Sequence, residues 1–173
     1  MWQDNPVAMA REISGNDYWM PWPAPLVRWL RARSPDLALD WVFGVVSELL
    51  PRTGSPHAAE LISELEQLRR WRSAPPASEV FRRKAEDLWY RPDRDIARTT
   101  MNRLCWSVME LVCPDKEIGI NWLWHIPSLI CQAGFNGGPR PELVEWCLSD
   151  FEQFTAGVAQ QDAEPGAAAD GGA

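Results

Sequence analysis

The 173-residue sequence lacks any long hydrophobic run, and its uninterrupted apolar stretches, such as residues 41–46, are much shorter than the ~20 residues needed to cross a bilayer. The first residues also lack the basic and apolar segments of a secretory signal. These two absences predict a cytoplasmic protein without a membrane span.

Metal-binding cysteine spacings are missing as well. The four cysteines are Cys105, Cys113, Cys131 and Cys147, and none belongs to a C-x-x-C pair. Eight residues of helix would separate the first two by about 12 Å, which is too far for both to bind one ion. Because free cysteines are commonly buried, the sequence predicts reduced core thiols, no metal site and no cofactor.

Histidine is scarce, and the common catalytic motifs are absent. The chain has two histidines and shows no nucleophile elbow, phosphate-binding loop, dinucleotide fingerprint or paired catalytic carboxylates. His57 falls in the first turn of a predicted helix, where we expect exposure, and His125 lies in an apolar segment, where we expect a hydrogen-bonded core residue. An enzyme using His125 or a cysteine is therefore the least favoured interpretation.

Lysine is nearly absent, with 2 residues against 15 arginines, and the net charge is −7. An acidic chain is unsuited to cover a phosphate backbone or an anionic membrane with its whole surface. We therefore expect neither a nucleic acid nor a membrane as the partner.

The features that are present indicate helices. Apolar residues recur at three- and four-residue intervals, Ser-Pro pairs mark helix starts, and no segment alternates with a period of two. Helices are predicted at about 25–33, 35–50, 56–73, 78–90, 94–113, 115–130 and 141–159. The sequence predicts an all-α fold, a compact bundle of six to seven helices.

Three regions follow from these boundaries. Residues 1–23 contain three tryptophans and three prolines without a sustained period, so we expect an irregular arm that packs on the domain, with a partner surface as the alternative. Residues 24–159 form a single helical domain. Residues 160–173 are predicted to be a disordered acidic tail. After position 160 the sequence has no apolar side chain larger than alanine.

The charges are unevenly distributed. The stretch from Leu68 to Arg103 contains ten basic and five acidic residues, which gives a local charge of +5 in an acidic chain. These basic helices could pair with acidic neighbours in the same domain, receive an acidic protein partner or bind nucleic acid, and the apolar character of helix 94–113 disfavours the last.

A tryptophan lies inside this basic region, between two arginines, and such a residue could be core or an interface anchor. The candidate partner-binding residues are Arg69, Arg70, Trp71, Arg72, Arg82 and Arg83. We therefore expect a protein-interaction module, an adaptor or a regulatory subunit that binds an acidic protein. The alternative is an immunity or inhibitor protein of a bacterial toxin or defence system, a class that includes acidic helical domains without sequence motifs.

Overall fold

The computed structural model of the chain describes residues 5–15, 21–93, 95–113, 123–131 and 140–163. These residues form helices and no strand, which confirms the all-α prediction. The helices are α1 (Pro6–Gly15), α2 (Ala24–Arg31), α3 (Pro35–Leu49), α4 (Ala58–Ser73), α5 (Ser78–Tyr90), α6 (Ile96–Val112), α7 (His125–Cys131) and α8 (Pro141–Ala163), with a 3₁₀ turn at Leu50–Thr53 between α3 and α4.

One of the described helices, α1, was not predicted. It lies within residues 1–23, where we expected an irregular arm. Asn5 begins it, because its side-chain oxygen accepts a hydrogen bond of 2.9 Å from the backbone N–H of Ala8, and Pro6 occupies the first helical position. The arm is therefore helical over Pro6–Gly15. It packs against α2 and α8, and Trp22 after it is buried. Trp2 and Trp19 lie outside the described residues.

Two helix starts differ from the prediction. α4 begins at Ala58 and not at Pro56, because the hydroxyl of Ser55 accepts the N–H of His57 and holds a turn before the helix. α6 is capped by Asp95, which accepts the backbone N–H of Arg98 at 3.0 Å, and not by Asp93. The carboxylate of Asp93 is used elsewhere, as described below.

The end of the last helix also differs from the prediction. α8 extends to Ala163, so its last turn covers residues 160–163, which the sequence analysis assigned to the tail. Residues 164–173 lie outside the described part of the chain.

Two helices organise the packing. α3 contacts α2, α7 and α8, whereas α6 contacts α4, α5 and α7. The core of the first group includes Trp41, which is 1% exposed and meets Phe151 edge to face with ring centroids 5.3 Å apart. Within the described residues, no helix is both long and apolar enough to cross a membrane.

Candidate interaction site

The predicted binding residues lie on α4 and α5, which form an antiparallel hairpin. Two ion pairs join the helices: Glu64 of α4 pairs with Lys84 of α5, and Glu60 lies 3.8 Å from Arg91, just after α5. The rings of Trp71 and Phe81 also meet, with their centroids 4.8 Å apart. Residues late in α4 thus face residues early in α5. Two consecutive prolines in the connection, which cannot continue a helix, end the first arm of the hairpin.

Arg72 turns away from α5 and bridges to α3. Its guanidinium pairs with the carboxylates of Asp40 and of Asp36, the latter at 2.6 Å, and its side chain is only 22% exposed. The hydrogen bond with Asp40 is the main reason why the pKa of Arg72 lies above its ordinary value. Arg72 is therefore an internal structural cation that fixes the end of α4 on the start of α3.

Arg69 lies on the same flank of α4. It donates to the Ser47 hydroxyl at 2.7 Å, pairs with Glu66, and lies 5.5 Å from the centre of the Phe43 ring. Arg69 and Arg72 line an open groove of about 700 Å³ between α3, α4 and α6. Its other lining residues are Asp36, Asp40, Phe43, Gly44, Ser73, Leu111 and Val112.

Trp71 lies on the opposite flank of α4, against α5. It is half-buried, and its edge-to-face contact with Phe81 joins it to the hydrophobic core. Because part of its surface already packs inside the domain, Trp71 offers a partner less area than an exposed tryptophan would.

The remaining three predicted arginines face solvent at the connected end of the hairpin. Arg70 is exposed, and the side chains of Arg82 and Arg83 are 42% and 77% exposed. Both of the latter pair with one carboxylate, that of Glu79, at 3.2 and 3.3 Å. Val80, which follows Glu79 in the sequence, has an exposed apolar side chain.

The six predicted residues therefore do not form one surface. Three of them, Arg69, Trp71 and Arg72, contact side chains of other helices. The other three lie at the connected end of the hairpin, and we call them the hairpin arginines: Arg70, Arg82 and Arg83. The periodicity of a sequence separates buried from exposed positions but does not identify the neighbouring helix. Arg72 is an example, because its acidic partners Asp40 and Asp36 lie 32 and 36 residues away in the sequence.

A second charged cluster was missed because its members come from three different segments. Arg98 is 2% exposed and donates to Nδ1 of His57 at 3.0 Å and to Glu60 at 3.2 Å. His57 Nε2 lies 3.1 Å from Asp93, so both ring nitrogens are occupied. The expectation of an exposed His57 is thus wrong, since its side chain is 20% exposed and joins α4, α6 and the connection before α6.

The contacts described for Ser55 and His57 differ from those of a hydrolytic triad. A hydrolytic triad needs a nucleophile bonded to the histidine ring. The Ser55 hydroxyl instead bonds to Asp95 and to the backbone of His57, while the histidine ring bonds to Arg98 and Asp93. This arrangement is suited to hold a turn and a helix end together.

The cysteines are buried as expected, except for the half-buried Cys113. Cys105 donates to the carbonyl of Phe81 at 3.5 Å, and burial raises the pKa of its thiol to about 12. The Sγ atoms of Cys131 and Cys147 approach to 3.8 Å, a contact between α7 and α8 that spacing alone did not indicate. Across the described ranges, no group of three metal-ligating side chains comes together.

Comparison with known protein families, curated proteins and solved structures finds no match to this chain.

Proposed function

We propose that this protein is a helical interaction module that binds an acidic protein partner through the hairpin arginines. The observation that carries the proposal is that Arg82 and Arg83 share one carboxylate, that of Glu79, at the end of the hairpin where the exposed Arg70 also lies. Three cations and one anion leave a local charge of +2 at an exposed end of the domain.

The chemistry of the cluster favours a protein carboxylate as the bound group. Arginine presents a planar fork of donors that matches a carboxylate with two parallel hydrogen bonds. Val80 is 42% exposed and supplies an apolar contact beside the cations. A partner segment that combines Asp or Glu residues with one apolar side chain would satisfy both features.

Internal pairing accounts for most of the other basic side chains in the region. Arg72, Lys84, Arg91 and Arg98 all pair with carboxylates of the same domain. The binding surface is thus smaller than the whole basic stretch of the sequence, and reversing Arg72 would test folding and not recognition.

Selection from a random peptide display library tests the proposal directly. Peptides enriched on the wild-type protein should be rich in Asp and Glu, and the double variant Arg70→Glu, Arg83→Glu should lose them. Capture should also weaken as salt rises, because exposed charges are screened over about 10 Å at 0.1 M ionic strength.

The matched control is the double variant Arg11→Glu, Arg52→Glu, which lowers the net charge by the same amount at exposed ion pairs elsewhere on the molecule. It should retain peptide capture. Enrichment of peptides without acidic residues, or equal capture by both double variants, would show that the hairpin arginines are not the binding surface.

A further inference from the structure

A small aromatic pocket lies between α5 and α6, away from the hairpin arginines. Its volume is about 230 Å³. The lining residues are Ala85, Glu86, Trp89, Tyr90, Asn102, Arg103 and Trp106. Pockets for drug-sized ligands measure about 300–1,000 Å³, so this one is suited to a single ring system.

One of the lining residues, Asn102, carries an unsatisfied acceptor. Asn102 is 2% exposed, and its Nδ2 donates to the backbone carbonyl of Ala85 at 2.7 Å. That bond fixes the orientation of the amide, because the carbonyl of Ala85 can only accept. Oδ1 of Asn102 is buried and has no hydrogen-bond partner in the described structure. A buried acceptor without a donor is costly, so a group that supplies an N–H gains from binding there.

The walls of the pocket are suited to a flat ring. Trp89 and Trp106 are half-buried, and the guanidinium of Arg103 stands 5.0 Å from the centre of the Trp89 ring. Glu86 and Arg103 line the same pocket with opposite charges, so a charged ligand of either sign would meet a like charge there. The occupant that fits is therefore neutral, planar and a hydrogen-bond donor.

We propose that this α5–α6 pocket binds a neutral planar heterocycle that carries a ring N–H, with the N–H donated to Oδ1 of Asn102 and the ring packed on Trp89 and Trp106. Indole is the simplest probe of this class, since it has one N–H donor and no conventional acceptor. This site is independent of the proposed protein partner.

Titration of the ¹⁵N-labelled protein with indole, followed by NMR, tests the site. The side-chain amide signals of Asn102 and the indole N–H signals of Trp89 and Trp106 should shift and saturate together. Benzofuran has nearly the same ring shape without the N–H donor and should bind about tenfold more weakly, since it leaves the buried acceptor unpaired. Equal affinity for the two probes, or no saturable shift up to the solubility limit of indole, would overturn the proposal.

Variants at the pocket wall provide a second measurement. Trp106→Leu removes one wall and should weaken indole binding at least threefold, whereas Trp146→Leu replaces a half-buried tryptophan on α8 and should leave the affinity unchanged. If Trp106→Leu does not fold, Tyr90→Ala decides the matter, because Tyr90 is 77% exposed and its loss leaves the core intact. Unchanged indole affinity in the folded wall variant would place the binding elsewhere.

Discussion

At the scale of single residues, Asp150 is a carboxylate whose surroundings work against its charge. Its Oδ2 accepts the indole N–H of Trp41 at 3.0 Å. Burial is the main cause that raises the pKa of Asp150, and the nearby charge of Glu48 raises it further. The folded protein therefore binds a proton at Asp150 more tightly than the unfolded chain does.

This shift predicts a pH-dependent effect of Asp150→Asn. Because the folded pKa lies above the unfolded one, Asp150 reduces stability progressively as the pH rises between the two values, and the penalty is complete above the folded pKa. The asparagine keeps an acceptor for Trp41 without the charge. We expect its melting temperature to exceed that of the wild type at pH 7 and the difference to shrink towards pH 4.

Thermal unfolding at several pH values checks this prediction. Glu152→Gln on the exposed side of α8 is the matched control and should show no such trend. A lower melting temperature of Asp150→Asn at pH 7 would mean that the charged hydrogen bond to Trp41 outweighs the cost of burial.

Arg72 and Arg70 are close in sequence but differ in what they contact. Arg72→Met removes the ion pairs with Asp36 and Asp40, whose side chains are half exposed or more, and should cost about 1–2 kcal/mol of unfolding free energy. Arg70→Met changes an exposed side chain and should stay within ~0.5 kcal/mol. Urea denaturation measures both, and equal values would contradict the internal role of Arg72.

At the scale of secondary-structure elements, local signals in the sequence were sufficient for most helices. α5 was expected at about 78–90 and spans Ser78–Tyr90, and α3 starts at Pro35 after the Ser34 cap as predicted. α1 was missed although Asn5 followed by Pro6 is the same kind of cap-and-proline start. The prolines and Gly15 of residues 1–23 favoured an irregular arm in the sequence instead.

The N-cap of α3 can be tested by one substitution. The Ser34 hydroxyl accepts the backbone N–H of Asp36 at 3.2 Å, so Ser34→Ala leaves a donor at the helix start without its partner. We expect a loss of about 1 kcal/mol. Ser73→Ala, at the exposed last position of α4, is the control and should be nearly neutral in the same denaturation measurement.

The candidate sites were less predictable than the helices. The period of a helix indicates which side is buried, but the identity of its neighbour depends on the whole fold. Arg98 illustrates this limit, because its partners His57 and Glu60 lie 41 and 38 residues away. Asn102 likewise depends on a carbonyl of α5, and nothing in the sequence marks that pairing.

At the scale of the whole molecule, the cluster around Arg98 joins the beginning of α4 to the beginning of α6. Arg98→Leu should cost about 2–4 kcal/mol, because it removes a buried cation from two carboxylates and a histidine ring. Arg91→Leu is the matched control, since Arg91 also approaches Glu60 but is 41% exposed, and it should cost less than ~1 kcal/mol.

Guanidinium or urea denaturation with two probes, circular dichroism and tryptophan fluorescence, separates these variants. The two signals should change together in the wild type, as for a domain that unfolds in one step. Similar losses for Arg98→Leu and Arg91→Leu would show that burial adds nothing to the Arg98 pairs.

The contact between α1 and α8 has a consequence for synthesis on the ribosome. Arg11 meets Glu145 at 3.0 Å across 134 residues, so α1 finds this partner only after α8 has been translated. Among the described helices, α2 is the other main neighbour of α1. Closing such a distant contact is slow compared with forming local helices. The nascent chain therefore completes the packing of α1 only after α8 has left the ribosome.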